Sequence, residues 1–507
     1  MLAPDYLDHA PDRLILLWQQ AEDDILRDVA RRIGKMDALT PTANWQLWRY
    51  QQTEAVRKDV VKLLARYTGK SEAEIRRLMK EAATAALEAE DEIYYHYGKE
   101  PTPFEESTPL QNLLNAGYRQ TAGSFSNLTA TTANTVSGAF EQALDRAWLQ
   151  VSSGAFDYKT AVKRAVDGLA DSMPYVTYPS GHRDTLEVAA RRAVLTGVNQ
   201  TGAKLQEARM DEMGASFVEV AAHGGARPSH AVWQGRRYHR GGAVDYLGQH
   251  YEDFESATGY GTGAGLCGWN CRHTFFVVFP ELSSPPAWTQ ESLEQLNARN
   301  IEYEGRLYTR YEISQMQRAR ERAVRKYKRR YLAEDAAGAD TTASAVKLRA
   351  ARAELADFAS RTAGRVDSAR TSVHGFGRSA SSKASYAARK QERFNAANTE
   401  LQQMREAGTI KAKGRLIESP SAPNEINFAS DHVLQRWAER GMGPMDAERI
   451  IRSSKVAMSQ RNGTQTCYYS ELGFVSIGQD GNVSSIGPLD EGGKKLMEVV
   501  KKHGIPH

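Results

Sequence analysis

The sequence predicts a mainly α-helical N-terminal half with a small α+β module, followed by a helical spacer and a separate α+β C-terminal domain. Apolar residues recur every three or four positions over residues 14–87, residues 216–281 combine short apolar runs with glycine-rich turns, and residues 426–507 combine both patterns. A chain of 507 residues is also too long for one hydrophobic core. We therefore expect domains at residues 1–212, 213–285, 286–425 and 426–507.

Composition narrows the class of protein. The chain has 66 basic and 62 acidic residues, so any nucleic-acid contact must come from a local patch. Three cysteines are too few for a disulfide framework and favour a reducing compartment. The first residues lack the pattern of a signal peptide, and no apolar run reaches about 18 residues. We expect neither secretion by that route nor a membrane anchor.

The N-terminal half is predicted to be helical throughout. Residues 14–87 predict several helices, with a break at Thr40-Pro41 and a helix start at Ser71, which is followed three residues later by Glu74. Residues 104–175 are rich in Ser, Thr and Ala, which suits helices packed closely on their neighbours. A long helix then follows Gly181, because four apolar residues share one face: Val188, Leu195, Val198 and Leu205.

The module at 213–285 concentrates residues that can bind metal. Segments 216–223 and 273–280 predict strands, and the ligand-capable residues in and between them are His223, His230, His239, Cys267, Cys271 and His273. Thiolate and imidazole suit zinc, and a four-ligand site would stabilise a module with little core. The candidate ligands are His230, Cys267, Cys271 and His273.

Two alternatives to a metal site stay open. The spacing C-x3-C-x-H is not a standard zinc-finger pattern, which favours the interpretation of the cysteines as small buried residues and of the histidines as partners of turn backbone. A nucleophilic pair of Cys271 and His273 is the third interpretation, since alternate residues of a strand point to one face. The sequence shows no orienting acid or oxyanion hole for it.

The spacer, residues 286–425, begins with a strongly basic helical segment. Its cations, which face a single acid at Glu321, are Arg318, Arg320, Arg322, Arg325, Lys326, Lys328, Arg329 and Arg330. This segment is either a solvated helix or a contact for DNA phosphates or an acidic partner surface. Residues 335–425 are rich in Ala, Ser, Gly and Arg and predict a partly helical spacer.

Between residues 178 and 273 the chain contains three blocks in this order: "YPSGHRDTLEVAARRAVLTGVNQ", "HGGARPSHAVWQGRRY" and "DFESATGYGTGAGLCGWNCRH". Together these blocks resemble the phage minor capsid protein 2 family, and more loosely the Mu F-like head morphogenesis proteins. The resemblance covers residues 10–285. It implies a minor head protein of a tailed phage or prophage, at or inside the portal vertex of the virion and in the host cytoplasm during assembly. The implied partners are the portal protein and other head proteins, and packaged DNA is a further predicted partner through the basic segment. The family's signature positions are Arg227, His230, Gly235, Gly268, Asn270, Cys271 and His273.

The C-terminal domain resembles a different group. "DHVLQRWAERGM", two helices, a hairpin at Asp480-Gly481 and a closing helix are similar to small nuclease domains of the barnase/EndoU/colicin/RelE superfamily. The resemblance implies a metal-independent ribonuclease. Cleavage by 2′-hydroxyl attack needs a proton acceptor, a donor and a cation, and the candidate residues are His432, Arg436, Arg440, Tyr469 and Ser484.

Other interpretations of this domain also stay open. The superfamily often ends in a strand with a catalytic Thr or Tyr, whereas "NVSSIG" stands here. A second interpretation is that the domain is a binding module and that the helix with His432 and Arg436 has an ordinary polar face. As an alternative for the whole chain, a polymorphic toxin would carry the same ribonuclease domain.

Overall fold

The computed structural model describes residues 2–36, 42–172, 176–177, 182–282, 284–420, 426–428, 435 and 437–506. The chain forms two compact units, Met1–Ser381 and Ser382–His507. The predicted fold class is confirmed, because long helices dominate the N-terminal half and small sheets occur in the middle module and near the C-terminus. Among the helices that the structure describes, none has both the length and the apolar character of a membrane span.

The first unit is built on long helices. Those of its first half are α1 (Pro4–His9), α2 (Asp12–Gly34), α3 (Thr42–His96), α4 (Thr108–Ser152), α5 (Tyr158–Ser172) and α6 (Leu186–Met213). The later ones are α7 (Pro228–Ala231), α8 (Phe254–Thr258), α9 (Gln290–Asn297), α10 (Arg310–Ala336), α11 (Thr342–Arg361) and α12 (Ser368–Thr371). The apolar faces of α1 to α6 meet in one large core that contains Trp18, Phe125 and Phe140, and Ala333 of α10 joins it.

The predicted helix start at Ser71 is wrong. Helix α3 runs without interruption through this position. The Ser71 hydroxyl is buried and donates to the Tyr67 carbonyl at 2.9 Å, one turn earlier in the same helix. A serine hydroxyl can bond to the preceding turn as well as cap a helix, and here burial against the core decides for the continuous helix.

The middle module contains a five-stranded sheet. Its strands are β3 (Phe217–Val220), β4 (Arg237–His239), β5 (Val244–Tyr246), β6 (Gln249–Asp253) and β7 (Phe275–Val277), after a short pair β1 (Val176–Thr177) and β2 (Arg183–Asp184). The order is β5-β6-β4-β3-β7, with only the β4–β6 pair parallel. The predicted strands therefore exist, and β3 pairs directly with β7. A second pair, β8 (Ile301–Tyr303) and β9 (Arg306–Tyr308), follows.

This sheet is attached to the helical frame on one face. Val218, Phe275 and Val277 pack in a common core with Tyr94 of α3 and Met210 of α6. The chain segment that enters β7 is therefore held against α6, and this segment carries the Cys/His motif.

The second unit has three layers. It contains most of α13 (Arg378–Glu406), followed by β10 (Arg415–Glu418), α14 (Pro444–Ser453), β11 (Val456–Gln460), β12 (Gln465–Ser470), β13 (Gly473–Gly478), β14 (Val483–Gly487) and α15 (Glu491–Lys502). The strands form an antiparallel meander in chain order, with the predicted hairpin at Asp480-Gly481.

Successive side chains along each strand point to opposite faces of the sheet, and both faces are buried. One face packs on α13 and α15, and the other packs on α14 and Trp437. The apolar residues of the C-terminal sequence predict a core of Val433, Leu434, Trp437, Ile450, Ile451, Phe474 and Val475. Of these, Trp437, Ile450, Ile451 and Val475 are buried and Phe474 is partly buried. The predicted core residues Val433 and Leu434 lie outside the described residues.

Candidate metal centre

Three of the four predicted metal ligands meet in the middle module. The Nδ1 atoms of His230 and His273 lie 3.4 Å apart, and Cys271 Sγ lies 3.7 Å from the first and 3.6 Å from the second. Tetrahedral zinc with bonds of about 2.1 Å to nitrogen and 2.3 Å to sulfur places neighbouring ligand atoms roughly 3.4 to 3.6 Å apart. The triangle therefore has the dimensions of three corners of a zinc site.

The other imidazole nitrogens orient both rings. His230 Nε2 donates to the Ala264 carbonyl at 2.9 Å, and His273 Nε2 donates to Gln234 Oε1 at 2.9 Å. That amide oxygen also accepts from the backbone N–H of His223, which fixes its orientation. Because both Nε2 atoms carry the proton, both Nδ1 lone pairs are left for a metal, as in most protein sites with histidine ligands.

Burial keeps the three ligands in defined protonation states. The pKa of His273 falls to about 2, mainly because the ring is buried and also because His223, His230, Arg272 and Arg227 lie near it. Burial likewise lowers the pKa of His230. Burial raises the pKa of the Cys271 thiol, so a metal must displace its proton. A metal that binds these two neutral imidazoles and this thiol therefore displaces a single proton, the one on Cys271.

The loop before the motif is built tightly. A Cβ on Gly265 would lie 1.9 Å from the Gly259 carbonyl oxygen, and one on Gly268 would lie 2.5 Å from that of Gly263. Cys267 and Asn270 both adopt positive φ angles, 58° and 53°. A left-handed backbone is costly for cysteine and milder for asparagine. This loop is therefore strained, and it is the segment that places Cys271 and His273.

Helix α6 holds the motif through side chains that the sequence analysis did not identify. Asn199 Nδ2 donates to the carbonyls of Cys271 and His273, each at 3.0 Å. One heptad later, Gln206 Nε2 donates to the Phe275 carbonyl at 2.9 Å. The available signal was two amide residues seven positions apart on the buried face of this helix.

The fourth predicted ligand, Cys267, does not join the trio. Its buried Sγ is directed to the His273 carbonyl at 3.6 Å instead. Among the described residues, the cluster that could hold an ion consists of His230, Cys271 and His273. Three protein ligands leave one position of a tetrahedral site open. Elsewhere in the module, His239 Nδ1 lies 2.7 Å from the Gly242 carbonyl, as the turn-backbone interpretation expects.

The predicted basic segment lies in α10, and much of its charge is neutralised within the first unit. The contacts are Arg320–Glu354, Arg325–Glu187, Lys326–Asp171, Arg329–Glu22, Arg329–Asp23, Arg330–Asp167, Arg330–Asp171, and Lys328 to the Thr371 carbonyl. Arg322 is exposed, and no described carboxylate forms an ion pair with it. Arg318 lies one turn before it and is partly buried. DNA contact by this helix stays a prediction.

Three of the five candidate ribonuclease residues lie among the described residues, and each has different contacts. Tyr469 is buried in the core between the sheet and α13 and α15, whereas Arg440 Nη1 donates to the Ile486 carbonyl of the edge strand β14 at 2.8 Å. Ser484 is exposed and accepts from Gln465 Nε2 at 2.6 Å. His432 and Arg436 lie outside the described residues.

Comparison with known proteins agrees with the architecture of the first unit. The family model for phage minor capsid protein 2 matches residues 2–360. This match contains the helical frame, the sheet and all three residues of the metal trio. No curated protein and no solved structure that was compared with the chain matches it. Since the family match extends over well more than half of the sequence, the chain belongs to the phage minor capsid protein 2 family.

Proposed function

We propose that this protein is a structural component of a tailed-phage head, located at or inside the portal vertex, and that a zinc ion stabilises its middle module. One observation carries the proposal: the family match spans both the helical frame and the His230, Cys271 and His273 cluster. A structural role also suits the cluster, because the ligands are buried and the thiol has a raised pKa. The partners are then the portal protein and other head proteins.

Quantitative mass spectrometry of purified heads and procapsids tests this proposal. We expect a few copies of the chain for each particle, and we expect a tagged chain to copurify with the portal protein from infected or induced cells. A coat-protein copy number would contradict the vertex location. Absence from heads and procapsids alike would contradict the proposal as a whole.

A second function is proposed for the C-terminal unit, namely cleavage of RNA. It is supported by the position of Ser382–His507, a compact unit with two cores of its own that lies outside the residues matched by the family model. An effector domain appended to a head protein would have this arrangement. A polymorphic toxin would have it too, and neighbouring genes for a portal, a scaffold and a coat protein would favour the phage.

The ribonuclease proposal is tested on the full-length chain. Degradation of RNA should fall about 100- to 10,000-fold in His432→Ala, because a positioned proton-transfer group typically contributes that much. His503→Ala serves as the matched control, since this histidine of the second unit pairs with Glu400 and is not a candidate catalytic residue, and its loss should leave cleavage unchanged. If the parent chain degrades no RNA, the unit is a binding module.

A further inference from the structure

A cavity of about 850 Å³ opens in the first unit beside the metal trio. Its wall is formed by α6, α10 and the loop that carries Cys271, and His230, Cys271 and His273 all contribute to it. Pockets for small organic ligands have volumes of roughly 300 to 1,000 Å³. The cavity is therefore large enough for a ligand of nucleotide size and too small to enclose a double helix.

The lining is strongly biased toward positive charge. Three carboxylates line the cavity, at Asp171, Glu187 and Glu321, against nine cations. The cations are Arg191, Arg227, Arg272, Arg318, Arg322, Arg325, Lys326, Arg329 and Arg370. Eight of these nine are arginines, whose planar guanidinium groups match the spacing of phosphate oxygens.

Internal ion pairs account for five of these cations. Their partners are Asp12 for Arg191, Glu187 for Arg325, Asp171 for Lys326, Glu22 and Asp23 for Arg329, and Asp367 for Arg370. By contrast, no described carboxylate forms an ion pair with Arg227 or Arg322. Arg227 donates one hydrogen bond, to the Trp269 carbonyl at 2.8 Å, and this neutral partner leaves its charge uncompensated.

Arg227 and Arg322 approach the cavity from different elements. Arg227 is the residue before α7 and lies near the metal trio, where its charge acts on His230 and His273. Arg322 lies in the middle of α10, one turn after Arg318. Positive groups spread over the wall of one cavity stabilise a ligand with several negative charges better than one with a single charge.

We propose that this cavity binds a phosphorylated ligand of nucleotide size through Arg227 and Arg322. Two sources offer the phosphate group that these arginines would recognise. One is a free nucleotide, and the other is the phosphorylated end of a single nucleic-acid strand. This inference does not depend on zinc, because neither arginine is a metal ligand. It also stands apart from the head-protein proposal, since binding is measured on the isolated chain.

Isothermal titration of the full-length chain, as purified and in phosphate-free buffer, tests the proposal. The probes are ATP and a short single-stranded oligonucleotide with and without a 5′-phosphate. We expect saturable binding of ATP, of the 5′-phosphorylated strand, or of both, and weakening as salt is raised. Preference for ATP identifies the free nucleotide as the source, and preference for the phosphorylated strand identifies the strand end.

Two variants and a control locate the site. Arg322→Gln changes an exposed side chain, so it should preserve folding while weakening binding about tenfold or more, as expected for a lost charge-assisted contact. Arg227→Gln should have a similar effect. The control Arg57→Gln removes an exposed arginine of α3 that does not line the cavity, and it should bind like the parent. Absence of saturable binding by every probe, or binding unchanged in both variants, would overturn the proposal.

Discussion

At the scale of single residues, His273 has the protonation state and the ring orientation that a metal ligand needs. It is buried, neutral and oriented by Gln234. We expect the purified protein to hold about one zinc ion for each chain, and His273→Ala to lose it, because two remaining ligands bind zinc poorly. Elemental analysis after extensive dialysis measures the zinc content.

Two further variants make this experiment specific. Cys467→Ala removes a buried cysteine of the second unit and should leave the zinc content unchanged. Gln234→Ala should weaken zinc affinity about 10- to 100-fold, because the ring of His273 loses its orienting partner. A parent chain that is folded and free of metal would disprove the metal centre and leave a packed turn.

Glu90 introduces a pH dependence into the first unit. Burial raises its pKa to about 7 from the ordinary 4.5, although Gln206 Nε2 donates to it at 2.5 Å. Between these values the folded chain holds a proton that the unfolded chain has lost, so stability should fall as pH rises from 4.5 to 7. Glu90→Gln should therefore raise the free energy of unfolding by on the order of 2 kcal/mol at pH 8 and change it little at pH 4.

Urea denaturation of parent and variant at the two pH values measures this effect. Glu88→Gln, on the exposed side of the same helix, is the matched control and should change stability little at either pH. Equal destabilisation of Glu90→Gln at both pH values would show that the carboxylate is not the cause.

The residues that orient the metal ligands could not be identified from spacing. His230 and Cys271 are 41 positions apart, and the strand pair β3–β7 is needed to bring their loops together. Asn199 and Gln234 are ordinary amides in the sequence, and their role depends on which backbone carbonyls and imidazole nitrogens face them after folding.

At the scale of elements, α10 is part of the framework of the first unit. Arg329 Nη1 lies 2.8 Å from Glu22 Oε1, and its Nε lies 3.1 Å from Asp23 Oδ1, both on α2. The two carboxylates are almost fully buried, so Arg329→Ala leaves buried charge without its partner. We expect a loss of about 3 to 5 kcal/mol in the free energy of unfolding.

Chemical denaturation of the full-length chain measures this loss in its first-unit transition. Arg322→Ala on the same helix should change stability by less than about 0.5 kcal/mol, because its side chain is exposed. Equal effects of the two variants would contradict the framework role. The sequence could not separate these arginines, since both belong to one basic run and differ only in what faces them.

At the scale of the whole molecule, the C-terminal unit extends further toward the N-terminus than residues 426–507. Helix α13 contributes Ala397 and Leu401 to its core, and strand β10 contributes Leu416, each almost fully buried. A buried leucine stabilises a fold by about 1.5 to 3 kcal/mol, and a domain has only about 5 to 15 kcal/mol in total.

We therefore expect a fragment of residues 382–507 to unfold cooperatively and a fragment of residues 426–507 to lack a cooperative transition. Circular dichroism during thermal unfolding distinguishes the two. A shorter fragment as stable as the longer one would show that α13 and β10 are dispensable. The edge position of β10 makes this a strict test, because removing an edge strand leaves the remaining pairing intact.

Periodicity and turn residues were sufficient to predict the fold class, the long helices, the strands β3 and β7 and the hairpin at Asp480-Gly481, because these signals act over short stretches of chain, and three motif blocks were sufficient to identify the family. Tertiary contacts, by contrast, are the reason that α3 continues through Ser71, that Cys267 turns away from the metal trio, and that Arg329 and Arg322 have different surroundings. Each of these depends on contacts between residues far apart in the chain, and burial at such contacts outweighs local preference.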